Sequence, residues 1–144
     1  MVLWLLYTIF ALIKKYIIMF NLGYTYKRPK TLFGTQNAKT IKGEKLGYTT
    51  LIMYMSPEKQ NTAGKNLCAH ASEGCKAVCL FTAGRGKFNN VKLGRLNKTE
   101  YFLRERSLFL EHLYNEVAKG YKKHGKALAV RLNGTSDIPY ENLI

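Results

Sequence analysis

The chain has 144 residues, 47% of them apolar, and 23 Lys and Arg against 9 Asp and Glu, a net charge of +14. The apolar and aromatic content excludes a disordered chain, and three cysteines are too few, and odd in number, for a disulfide-stapled scaffold. One domain is expected, and the basic balance favours a polyanionic partner while leaving the fold open.

Residues 1–20 read MVLWLLYTIFALIKKYIIMF, with no charge from Val2 to Ile13. A spanning helix takes about 20 apolar residues. This run is shorter and stops at Lys14 and Lys15, and the basic pair follows the apolar stretch, the reverse of a signal peptide. Residues 1–18 are therefore read as translated sequence upstream of a start at Met19, with a short membrane anchor as the alternative. Membrane contact is expected only in the second case.

Residues 19–45 follow as a basic, glycine-punctuated arm, and an α/β domain is expected over 46–144. Gly47 to Met55 is rich in β-branched and aromatic residues and stops at Ser56-Pro57, which predicts a strand. From Pro57 to Asn97 the chain is polar and contains all three cysteines. A long loop of this kind needs a purpose in a compact domain. Asn97-Lys-Thr-Glu100 has the pattern of a capping box, and apolar residues at helical spacing predict a helix from Asn97 to about Lys123. Lys122, Lys123 and His124 suit its C-terminal dipole, and Gly125 suits its end. Lys126 to Leu132 is a nearly continuous apolar run, which predicts a parallel strand buried on both faces. Arg131 within that run needs a partner, either Asp137 or a ligand carboxylate. The order strand, loop, helix, strand is one βαβ unit, expected to be right-handed. A single unit cannot close a barrel or bury both faces of a sheet, so the chain reads as the N-terminal portion of a TIM-barrel-like fold, truncated at its C-terminus or dependent on a partner for its remaining strands.

Cys68, Cys75 and Cys79 fall in CAHASEGCKAVC, with six residues between the first pair and three between the second. They follow the first strand, where α/β folds place their sites. An iron–sulfur cluster held by three thiolates would keep one iron open, since full ligation takes four. Zinc with His70 as fourth ligand is the second reading, and unliganded thiols the third.

Leu67-Cys-Ala-His-Ala-Ser-Glu-Gly-Cys-Lys-Ala-Val-Cys79, Thr82-Ala-Gly-Arg-Gly-Lys-Phe88 and Arg131-Leu-Asn-Gly-Thr-Ser-Asp137 resemble a phage and prophage family known as the gene product eighty-eight domain. Ser72-Glu-Gly-Cys-Lys76 and the gap before it are more distantly similar to phage proteins of radical-SAM type. That second resemblance implies a [4Fe–4S] cluster on Cys68, Cys75 and Cys79, with S-adenosylmethionine on the fourth iron. It places the methionine amino group at Asn133-Gly134-Thr135-Ser136-Asp137, so that Asn133, Gly134, Ser136 and Asp137 become cofactor-contacting candidates. The chain departs from the usual C-x3-C-x2-C spacing, having C-x6-C-x3-C.

From Lys76 to Lys98 there are six cations and no acid. Gly84-Arg85-Gly86-Lys87-Phe88 combines flexible backbone, two cations and an aromatic, which suits a solvated basic loop, a cofactor contact through Arg85, or a nucleic acid or another phosphate-bearing ligand. It is not a Walker loop. The leading expectation is an iron–sulfur protein of phage type acting in the cytoplasm of a bacterial host. The alternative is a zinc-stabilised nucleic-acid-binding protein without catalysis.

Overall fold

A computed structural model describes residues 24–34 and 37–143. The apolar segment 1–18 and the two readings of it lie outside the described residues. Among the described residues, no helix is long and apolar enough to cross a membrane.

In chain order the elements are β1 (Phe33–Gly34), α1 (Ala38–Lys45), β2 (Thr49–Met53), α2 (Glu73–Ala77), a 3-10 turn (Gly84–Lys87), α3 (Asn89–Arg104), α4 (Arg106–His124), a second 3-10 turn (Gly125–Ala127), β3 (Leu128–Arg131) and α5 (Tyr140–Leu143). β2 lies at the centre of a mixed sheet of order β1-β2-β3. β2 and β3 are parallel, with Thr49 opposite Leu128 and Ile52 opposite Arg131, as a βαβ unit requires. β1 pairs antiparallel with the other edge of β2. The expected barrel portion is therefore not what these residues build. They form an open mixed sheet, because β1 occupies the edge that a barrel gives to a parallel strand.

The predicted first strand is present but shorter, and Leu51, Ile52 and Met53 are buried. The second departs from expectation. β3 is half-buried at Leu128 and exposed from Ala129 to Arg131. It is an edge strand among the described residues, so its apolar run has cover on one side only. Arg131 is exposed and donates from Nε to the Asn133 carbonyl at 3.1 Å, rather than pairing with Asp137.

The helix expected from Asn97 to Lys123 is two helices. It begins eight residues earlier, at Asn89, and breaks at Glu105, whose backbone leaves helical geometry (φ −128°, ψ 50°). No glycine or proline marks the joint. Tertiary contacts set it. Phe109 packs edge-on against Phe102 at 5.3 Å and against Tyr101 at 5.6 Å, and the Tyr101 hydroxyl donates to the Leu108 carbonyl at 2.9 Å. Each such ring pair adds about 1 kcal/mol beyond its buried area. The C-terminal end follows expectation: basic residues fill the last turn of α4, and Gly125 closes it at φ +58°.

The arm is more ordered than its composition suggests, since residues 19–45 include both β1 and α1. Its extended part has backbone donors that no sheet satisfies, and side chains of α3 and α4 supply acceptors. Asn97 Oδ1, expected to cap a helix, instead accepts from the Tyr24 hydroxyl at 2.8 Å and the Lys27 N–H at 3.2 Å. Glu105 accepts from the Tyr26 hydroxyl at 2.6 Å and pairs with Arg28. Glu116 accepts from the backbone of Leu32 at 2.9 Å and of Phe33 at 3.3 Å. Glu100 does not reach back to a cap either. It is buried and takes the Thr62 N–H and hydroxyl, each at 2.6 Å, with Arg104 Nε at 2.7 Å.

The core gathers Leu32 from the arm, Met53 and Met55 from β2 and its exit, Leu67 from the loop, Tyr101, Phe102, Phe109 and Leu113 from the helix pair, and Ile138 and Leu143 beyond β3. It draws on the residues that leave both parallel strands, Met55 after β2 and Ile138 after β3.

Candidate functional site

The loops leaving β2 and β3 are tied to each other. Gly134 N–H donates to the Met53 carbonyl at 2.9 Å, and the Thr135 hydroxyl to the Met55 carbonyl at 2.5 Å. Asp137 N–H donates to the Leu67 carbonyl at 2.9 Å, and Cys68 and Asp137 form an isolated parallel bridge. Glycine is required at position 134. A Cβ there would lie 2.6 Å from Tyr54 Cδ1 and 2.7 Å from the Met53 carbonyl oxygen.

The geometry thus joins two motifs separated by almost 70 residues. Cys68 is buried, and its Sγ lies 4.0 Å from the Thr135 carbonyl oxygen. Burial pushes the Cys68 thiol up from its ordinary pKa, opposed by backbone hydrogen bonds from Glu58 and Asp137 and reinforced by the nearby charge of Cys79. Cys75 is exposed on α2, a five-residue helix with no buried residue, capped by Ser72 Oγ, which accepts the Cys75 N–H at 3.2 Å. Lys76 pairs with Glu73 on the same helix at 2.6 Å and lies 3.9 Å from Glu58 in the preceding loop. Cys79 is half-buried, and its carbonyl accepts the Thr82 N–H and hydroxyl.

All three thiols are free. Among the described residues no group of three or more His, Cys, Asp or Glu side chains is placed to hold a metal ion. The cysteines supply the right donors for a cluster, but the fold does not present them as an assembled ligand set. His70 is exposed in the same loop, so zinc finds no assembled set either.

The strand-end residues divide into two groups. Asn133, Gly134 and Ser136 build the loop: Asn133 Oδ1 accepts from Ser136 Oγ at 2.9 Å, Asn133 Nδ2 donates to the Ile138 carbonyl at 2.9 Å, and Ser136 is buried. The Asp137 side chain is exposed and directed to solvent beside the cysteine loop. Arg85 is exposed on the first 3-10 turn.

Arg95 belongs beside these residues and was not separable from the other cations in the sequence. Its guanidinium lies over the Tyr54 ring and the Phe81 ring, each 5.4 Å from the ring centre. Nε and Nη1 are buried with no hydrogen-bond partner among the described residues. Burial holds its pKa below the usual arginine value, opposed by Tyr54 and Cys79. A desolvated cation without an acceptor costs stability, and Arg95 carries that cost next to Cys79. The Tyr54 ring beneath it is the one that closes over Gly134, so Arg95, both loops and the cysteine segment share one packed wall.

No curated protein and no solved structure matches the chain. A family model described as Gene product 88 matches residues 30–144, a span that takes in β1, the cysteine loop, both central helices and the strand-end motif. With that match covering well over half its length, the chain belongs to the Gene product 88 family.

Proposed function

We propose that this phage-type protein takes up an iron–sulfur cluster on Cys68, Cys75 and Cys79. The observation that carries the reading is the bridge of Cys68 to Asp137, which fixes one thiol at the C-terminal ends of both parallel strands. The other two thiols follow on a segment whose helix, α2, buries no residue. That segment can close over a cluster at little cost in core packing. Uptake and ordering of the loop would then be one event, as at many metal sites. Three thiolates leave one iron without a protein thiolate, and a bound cluster would supply electron transfer or an open iron for a small ligand.

The same reading gives S-adenosylmethionine a place beside Asp137 and Arg85, the two exposed members of the sequence-derived cofactor set. Asn133, Gly134 and Ser136 would act by holding Asp137 in position.

The test is anaerobic purification of the full chain with metal analysis and an absorption spectrum. The expected result is about four irons per chain, lost in Cys75→Ala. Because Cys75 is exposed, that variant keeps the fold. Iron-free wild type, or unchanged iron in Cys75→Ala, overturns the reading. About one zinc and a colourless protein would replace it with a structural zinc site.

A further inference from the structure

The segment that carries the basic turn presents cations and apolar side chains side by side. Gly86 is buried, and a Cβ on it would lie 2.6 Å from the Phe81 carbonyl oxygen and 2.9 Å from that of Leu80. The turn Gly84–Lys87 therefore folds tightly onto residues 80–81. Arg85 and Lys87, on either side of Gly86, are left exposed. Phe88 follows at 61% exposure.

Of the six cations between Lys76 and Lys98, two are engaged elsewhere and a third, Lys98, is desolvated by burial near Glu116. Lys76 binds Glu73, and Arg95 lies over Tyr54 and Phe81. Among the described residues no ion pair takes up Arg85, Lys87 or Lys92. No acid occurs in the segment to neutralise them. Unpaired cations flanking an exposed aromatic match a partner with phosphates and accessible planar faces. A duplex offers the phosphates but hides the faces of its bases, whereas a single strand offers both.

We infer that this surface binds single-stranded nucleic acid, with Arg85 and Lys87 on phosphates and Phe88 stacked on a base. The inference does not depend on a cluster at the cysteines.

The experiment uses the full chain and a fluorescently labelled thymidine oligomer about a dozen nucleotides long, followed by anisotropy across a salt series. Replacing Arg85 and Lys87 by Gln is expected to lower the slope of log K against log salt by roughly 1.4, since each phosphate contact on a single strand contributes about 0.7. Phe88→Ala is expected to weaken binding roughly 5- to 100-fold with the slope unchanged. Phe88→Leu, which keeps the apolar bulk, is expected to bind as weakly as the alanine variant. A control with Lys122→Gln and Lys123→Gln, at the far end of α4, removes the same charge and is expected to change the slope by less. Equal losses in the two charge variants would overturn the inference, as would a full-strength Phe88→Ala complex or a duplex bound as tightly as the single strand.

Discussion

Gly134→Ala is the sharpest test of how the site is built. A methyl group at position 134 would sit 2.6 Å from Tyr54 Cδ1 and 2.7 Å from the Met53 carbonyl oxygen. Ordinary carbon contacts begin at about 3.5 Å, so the methyl is roughly 0.9 Å too close on two sides. The Tyr54 ring can swing away only by leaving the Arg95 guanidinium and the Asn37 side chain that donates to its hydroxyl. The Met53 carbonyl can move only by disturbing β2 and the bond it accepts from Gly134 N–H. Overpacking of this kind costs about 2 kcal/mol, and a strained hydrogen bond adds about 1. The expected loss is thus about 3 kcal/mol, roughly a 100-fold fall in the folded-to-unfolded ratio. Urea denaturation followed by circular dichroism would measure it. Gly94→Ala is the internal reference: Gly94 lies inside α3, and a methyl there would meet nothing within 4 Å, so the same change is expected to stabilise by about 1 kcal/mol. A Gly134→Ala loss below about 0.5 kcal/mol would refute the packing of the strand-end loop onto β2.

Glu100→Ala strips an acceptor from the Thr62 N–H and hydroxyl and from Arg104. A destabilisation of about 2 kcal/mol is expected by the same denaturation assay. The Tyr26 hydroxyl is pushed up to about 12 by burial and by its bond to Glu105. A raised folded value stabilises fully below the unfolded value of about 10 and is lost as pH rises towards the folded one. Tyrosinate absorbance should therefore lose a transition near pH 12, not near 10, in Tyr26→Phe. On the acid side, hydrogen bonds from Tyr26 and Arg28 hold the Glu105 carboxyl below the usual carboxylate range. Its contribution is present above about pH 4.3 and disappears as pH falls through that depressed value, so Glu105→Gln should flatten the acid limb of a stability–pH profile. Iodoacetamide should label exposed Cys75 well before Cys68, which is buried with its thiol pushed up in pKa; the reverse order by peptide mapping would contradict the placement of both.

Much was legible in the chain of residues: the parallel β2–β3 pair, the helical character of the segment between them, the basic helix end closed by Gly125, and the family, whose motifs are contiguous. These are local matters of propensity, periodicity and short spacing, and they survive folding because each is satisfied within a few residues. Cys68 and Asp137 also stood out as residues of interest, though nothing in their spacing placed them together. Their bridge is a contact between two loops that only the parallel sheet brings into register.

Other features arise from long-range packing. The break at Glu105 has no breaker residue, because Tyr26 and Arg28 of a distant arm hold its carboxylate and three aromatic rings close the angle. Asn97 and Glu100 look like a capping box in sequence, yet both serve long-range partners, Tyr24 and Thr62, so the same polar atoms were open to two uses. Arg95 was one cation among six until packing turned it onto Tyr54 and Phe81. β3 carries the apolar composition of a two-sided strand, but burial depends on what lies beside it, and neighbours are a property of the assembled sheet.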